Sequence, residues 1–288
     1  MGDVPLTTDA RIDLEHASAV HLPANNYVAR INYAEIAVRH VVRFTDALHR
    51  SEPVFWITLI SDDYTFDLDR SGEFVPFRLQ QWARAVLRGC SFVGMVEAAL
   101  YTNADKVRLG PKRAVSWHVH LIVWGISTEQ MKALRDSINR RTSTMIPGLM
   151  AAHYRTLDRD KVEGQVLYML KAPLNEYRIY GRKEEAADSD TGEITKVPTG
   201  RFSMKKYQLG PGDLVRMANL MAGKTLDELT FATGQGTAVL DEINYEAKAR
   251  LRAAERAAAA REASRRSPAT HLGPPARSRP TYRRRGPQ

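Results

Sequence analysis

One cysteine, Cys90, stands in 288 residues, so no internal disulfide framework can form and a reducing compartment, the cytoplasm, is expected. The first 30 residues lack a basic stretch followed by an apolar one, so no signal peptide is expected. No uncharged apolar run approaches the roughly 20 residues a membrane-spanning helix needs, so no membrane partner is expected. No internal repeat is present. Acids are nearly missing from the end of the chain: Arg261 to Gln288 holds eight arginines against one acid, Glu262, and so carries seven of the nine net positive charges. The arginine, proline and serine there argue for a disordered basic tail, taken as 263–288, whose charge suits a polyanion. The plainer reading is a solvated tail with no dedicated partner. What is present is ordinary: a hydrophobic fraction of 43% fits a chain that buries a core in one or two domains.

Residues 1–30 show no clear period and are expected to form an arm or short irregular elements. From Tyr33 to Arg50, Ala37, Val41, Phe44 and Leu48 fall on one helical stripe. Val54 to Ile60 reads as a buried strand, followed by a polar turn from Ser61 to Gly72. Pro76 opens a helix to Arg88 with Leu79, Trp82, Ala83, Val86 and Leu87 on its apolar face, and Gly89 stops it. Ser91 to Thr102 is a second strand, Asn103 to Arg113 a hairpin loop, and Val115 to Trp124 a third strand. Ser127 with Gln130 caps a helix that ends before Pro147, and Ala151 to Leu157 is a fourth, weaker strand. Asp160, with Glu163 at the reciprocal position, caps a helix that runs to about Lys171.

This order predicts an α+β fold of the split β-α-β (ferredoxin- or RRM-like) kind. Two helices cover one face of a four-stranded antiparallel sheet. The other face stays open, and the helix from Asp160 crosses it. Residues 175–208 look irregular, with a charged patch from Arg182 to Asp190. After Gly210-Pro211-Gly212 come short helices at Asp213 to Met221 and Thr225 to Ala232, then a long alanine- and arginine-rich helix from Glu242 to Ala263. The division is an arm and helix over 1–50, a sheet domain over 51–208, a helical region over 209–262 and the tail over 263–288.

The chemistry-bearing stretch is Trp117-His118-Val119-His120-Leu121-Ile122-Val123-Trp124. Strand alternation points both histidines the same way, which suits a two-point grip on a divalent ion. The plainer reading is two solvent-facing histidines. Glu97 interrupts the apolar pattern of the preceding strand, and a carboxylate in a central strand is costly unless paired or metal-bound. A salt bridge would explain it too. Glu97, His118 and His120 together suit Mg²⁺ or Mn²⁺, with zinc also open. On the helix from Asp160, Tyr168 and Lys171 share the polar face, while Val162, Val166, Met169 and Leu170 lie toward the other. Gly223-Lys224-Thr225 lacks the first glycine of a phosphate-binding loop, and Thr225 with Glu228 reads better as a capping box.

Three motifs in order resemble the HUH endonuclease superfamily, across roughly Val54 to Lys171. His118-Val119-His120 is similar to its His-hydrophobic-His motif, Tyr168-Met169-Leu170-Lys171 to its Tyr-x-x-Lys motif, and Phe55-Trp56-Ile57-Thr58-Leu59 to its first, structural motif. The resemblance is clearest to single-tyrosine rolling-circle replication initiators (the Rep type) of plasmids and phages. It implies a metal-dependent nicking and joining enzyme acting on single-stranded or origin DNA. Tyr168 would be the nucleophile that forms a 5′-phosphotyrosine, Lys171 its helper, and Glu97 the third metal ligand beside the histidines. Tyr177 and Tyr180 stand as alternative nucleophiles or DNA contacts, and Arg182, Lys183, Arg283, Arg284 and Arg285 as candidate DNA contacts. No helicase domain is found, so unwinding would fall to another protein, such as a host helicase. The alternatives are a single-stranded DNA transposase or relaxase of the same superfamily, a non-catalytic nucleic-acid-binding protein, and a non-haem iron oxygenase.

Overall fold

The structure, a computed structural model, describes residues 4–16, 22–187 and 193–266. The chain begins with α1 (Thr8–Glu15) and α2 (Tyr27–Ala47), followed by β1 (Val54–Asp67), α3 (Pro76–Val86), β2 (Ser91–Thr102) and β3 (Arg113–Trp124). Next come α4 (Thr128–Arg141), β4 (Ala152–Leu157), α5 (Val162–Met169), β5 (Asn175–Ala187) and β6 (Ile194–Gln208). It closes with α6 (Pro211–Met221), α7 (Leu226–Leu229), β7 (Thr230–Thr233) and α8 (Gly236–Arg266). The fold is mixed α+β.

One seven-stranded sheet runs in the order β4-β1-β3-β2-β5-β6, with β7 also paired to β2. The β2–β5 contact is parallel and short, from Leu100 opposite Glu176 to Thr102 opposite Arg178. The other pairings are antiparallel. Opposite residues in an antiparallel pair share a face. Ile57 opposite Leu121 and Leu59 opposite Val119 therefore define one face, where Leu87, Met131 and Ile138 of the helical segments pack. His118 and His120 are on the other face. As expected, α5 lies over that face at His120; the face is also covered by α2, which was not expected, with Phe44 packed on Trp124 at 4.9 Å between ring centroids.

Several sequence expectations change. The turn at Ser61–Gly72 is mostly strand: β1 continues to Asp67 past a register shift between Ile60 and Thr65, because Tyr64 and Phe66 pack on Phe74. Residues 175–208 are not irregular but form the β5–β6 hairpin. Its strands are mostly exposed and charged, so they lack the apolar alternation that marks a half-buried strand. Residues 1–30 contain α1, capped by the Thr7 side chain, and α2 starts at Tyr27, capped by Asn26. The Asp160–Glu163 capping box is absent: a 3₁₀ turn at Arg159–Lys161 leads into α5 without a side-chain cap. Thr225 and Glu228 do form their capping box, but the helix is only Leu226–Leu229, and Thr230–Thr233 is a strand against β2. The final helix is helical to Arg266 and starts earlier, at Gly236. The remainder of the predicted tail lies outside the described residues. Among the described residues no helix is long and apolar enough to cross a membrane.

Candidate active site

The strand register assembles the site. Glu97 of β2 stands directly opposite His118 of β3, and Met95 opposite His120. On the other side of β3, Thr58 of β1 stands opposite His120. The Thr58 hydroxyl lies 2.9 Å from His120 Nδ1, and the Trp56 ring stacks on the imidazole with centroids 4.9 Å apart. His118 Nδ1 lies 3.3 Å from the Ser116 carbonyl. A carbonyl only accepts, so the His118 proton belongs on Nδ1 and its Nε2 keeps a lone pair. The Thr58 hydroxyl can accept from His120 Nδ1 in the same way.

The Nε2 atoms then lie 3.2 Å apart, and Glu97 Oε2 is 3.1 Å from His120 Nε2 and 3.8 Å from His118 Nε2. Neighbouring ligands of an octahedral ion at about 2.1 Å lie about 3 Å from one another, so the spacing fits one small divalent ion. With both Nε2 atoms unprotonated, buried Glu97 Oε2 faces two lone pairs and no donor, a costly state that an ion at this point would relieve. All three ligand atoms fall within 4.8 Å, and the cluster could hold a metal ion. Burial, then neighbouring His120, pushes the His118 imidazole down to about 4, which keeps it neutral and able to ligate near neutral pH. Burial acts to raise the Glu97 carboxyl, but in the acid range a hydrogen bond from His120, the charges of the protonated histidines and that of Lys171 outweigh it, bringing it to about 2.

Helix α5 brings Tyr168 against this cluster. Val162, Val166 and Met169 are buried toward the core, as their spacing predicts, and Tyr168 is half-buried on the opposite stripe. Its ring sits edge-on to His120 at 5.5 Å and to Trp56 at 5.8 Å between centroids. Lys171 lies just past the helix end. Its Nζ stands 4.1 Å from the Tyr168 ring centroid and donates to Glu97 Oε1, joining the tyrosine to the ligand set. Arg30 of α2 donates through Nη1 to the carbonyls of Leu170 (2.8 Å) and Lys171 (3.1 Å), satisfying the end of α5 and setting where Lys171 stands. Burial raises the Tyr168 hydroxyl above its ordinary value and the Glu97 charge adds to this, while the Tyr177 hydroxyl and Arg155 pull the other way. The resting phenol is therefore protonated. Burial lowers the Lys171 ammonium, and Glu97 opposes that.

The fold thus brings Glu97, His118, His120, Tyr168 and Lys171 together. Arg182 and Lys183 do not join them; they are exposed on β5, beyond its pairing with β2. Arg283, Arg284 and Arg285 lie outside the described residues. Tyr177 neighbours Tyr168 and stacks on Tyr101 at 5.4 Å, whereas the Tyr180 hydroxyl lies 3.4 Å from that of Tyr207, on the hairpin. Sequence reasoning missed the site roles of Thr58, Trp56 and Arg30, and of Lys206, whose Nζ stands 5.6 Å from the Tyr168 ring centroid. The period-2 pattern places Trp56 and Thr58 on one face of a strand, but only the register with β3 puts that face beside His120. Comparison with protein-family models, curated proteins and solved structures finds no match to this chain.

Proposed function

We propose that this protein is a metal-dependent, single-tyrosine DNA nicking and joining enzyme of the HUH type that initiates rolling-circle replication of a plasmid or phage. The observation that carries the reading is the convergence of Glu97, His118 and His120 with Tyr168 and Lys171 on one face of the sheet. The strand order adds support. β1 and β2 flank β3, and β3 and β4 flank β1, so each β-α-β unit is split by a strand of the other, as in a ferredoxin-like sheet.

His118, His120 and Glu97 would hold Mg²⁺ or Mn²⁺, which when bound polarises the scissile phosphodiester as a Lewis acid. The Tyr168 hydroxyl attacks phosphorus. A phosphorus–phenolic oxygen bond forms and the bond to the 3′ oxygen breaks, leaving a 5′-phosphotyrosine and a free 3′-OH. The phenol gives up its proton and the departing 3′ oxygen gains one, so no proton is consumed overall. The Lys171 ammonium, placed over the Tyr168 ring, offsets the negative charge that develops on the phenolic oxygen and phosphate. The Thr58 hydroxyl and the Ser116 carbonyl hold the imidazoles with Nε2 facing the carboxylate. The phosphotyrosine keeps the bond energy, so a 3′-OH can reverse the step and join strands without ATP. Separation of the duplex is left to a host helicase.

Incubation with a pool of random-sequence single-stranded DNA and Mn²⁺ is expected to give a denaturation-resistant protein–DNA adduct on a gel. Chelator and Tyr168→Phe should each abolish it. An adduct that persists in both conditions contradicts the proposal.

A further inference from the structure

We infer that the face of the β5–β6 hairpin bearing Tyr180 and Tyr207, on the side of the ribbon opposite Tyr168, is a platform for single-stranded DNA; this inference rests on the nicking activity proposed above. The hairpin joins the sheet by only three rungs beside the site and then continues outward as a two-stranded ribbon. In its inner half, residues 176–182 and 201–207, five cations (Arg178, Arg182, Arg201, Lys205 and Lys206) face one acid, Glu176. Glu176 is itself buried and bonded to Arg178 at 2.6 Å.

The opposing pairs Glu176–Tyr207, Arg178–Lys205 and Tyr180–Ser203 share one side of the ribbon. There the Arg178 guanidinium stacks 4.6 Å from the Tyr207 ring centroid, and Lys205 and Lys106 stand 5.9 and 5.7 Å from that of Tyr180. Tyr207 remains 38% exposed, so part of its ring is available to a partner. The next residue along β6 from Lys205 is Lys206, which alternation turns to the other side, over the Tyr168 ring. The platform and the nucleophile thus lie on opposite sides of the edge strand β6, with the adjoining Lys205 and Lys206 one on each side.

Proteins that hold single strands pair cations for the phosphates with aromatic faces for the bases. Lysines on an edge strand such as β6 also deter pairing between sheet edges. That role explains Lys205 but not two adjoining tyrosines with cations held at their rings. Duplex DNA keeps its bases stacked inside and offers these rings nothing, so the combination selects a single strand.

The test is fluorescence anisotropy of the full chain with a labelled single strand of about 30 nucleotides, longer than a typical site. Chelator is present so that no covalent step intervenes. Tyr180→Ala with Tyr207→Ala should weaken binding about tenfold or more. The matching pair of Phe substitutions should retain it. Arg201→Gln with Lys205→Gln should lower the slope of log affinity against log salt by about 1 to 2. Unchanged affinity in the Ala pair, equal loss in the Phe pair, or equally tight binding of duplex DNA or of the same sequence as RNA would each overturn the inference. Binding is read without metal and adduct formation with it, so the platform and the nicking activity fail separately.

Discussion

Thr58 is placed to hold His120 in the form that ligates. Its hydroxyl, 2.9 Å from Nδ1, can accept the Nδ1 proton and so leave Nε2 for an ion. Thr58→Val keeps the shape and removes the acceptor, so Mn²⁺ affinity measured by calorimetric titration should fall by about 10- to 100-fold while the thermal midpoint barely moves. His118 makes a prediction about pH. In metal-free protein its folded-state value is about 4, below the ordinary 6.5, so the unfolded chain takes the proton first. The stability this contributes is full above pH 6.5 and is lost as pH falls towards 4. At about pH 5 the loss is on the order of 2 kcal/mol. Glu97, at about 2 against an ordinary 4.5, adds a second loss below pH 4.5. Thermal unfolding followed in chelator across this range should show the slope, and His118→Asn should flatten it above about pH 4.5.

At the scale of elements, the site depends on how closely β2 and β3 approach. A Cβ on Gly94 would stand 2.9 Å from the His120 carbonyl oxygen and from the Leu121 side chain. Gly94→Ala must push the two strands apart beside His120. It should cost roughly 1–3 kcal/mol of stability, measured by urea unfolding, and weaken metal binding in the protein that remains folded. These strands were also the most legible part of the chain. The sequence predicts β2 with its observed bounds and β3 to within two residues, because Phe92 to Tyr101 and Ala114 to Trp124 are continuously buried and bracketed by turn residues. The alternation that made Glu97, His118 and His120 a candidate set is a local property of the backbone. The contacts from Thr58, Arg30 and Lys206 are not local. They depend on strand register and on how α2 and β6 pack, which no single segment encodes. The β5–β6 hairpin was missed for a related reason: Ile179 is fully buried, but most of its neighbours are exposed.

On the scale of the whole molecule, segments distant in sequence close around one core. Tyr33, Ile36 and Val41 of α2 share a buried cluster with Val119 and Leu121 of β3 and with Ile243, Ala247 and Leu251 of α8. The α2–α8 seam also carries His40 between Glu242 and Glu246, at 2.9 and 2.8 Å. Exposed ion pairs such as Arg43–Glu242 add little to that seam, and its buried aliphatic residues contribute more. The arrangement explains how α5 is held: Arg30 of α2 binds the carbonyls just past its C-terminal end while its apolar stripe enters the same core. It also sets two tyrosines, Tyr168 and Tyr177, side by side, and the account assigns the chemistry to the first. Tryptic digestion of the Mn²⁺-dependent DNA adduct, followed by mass spectrometry, separates them, because Tyr168 lies in the peptide Val162 to Lys171 and Tyr177 in Ala172 to Arg178. The account predicts the nucleotide on the first peptide; a nucleotide on the second would contradict it.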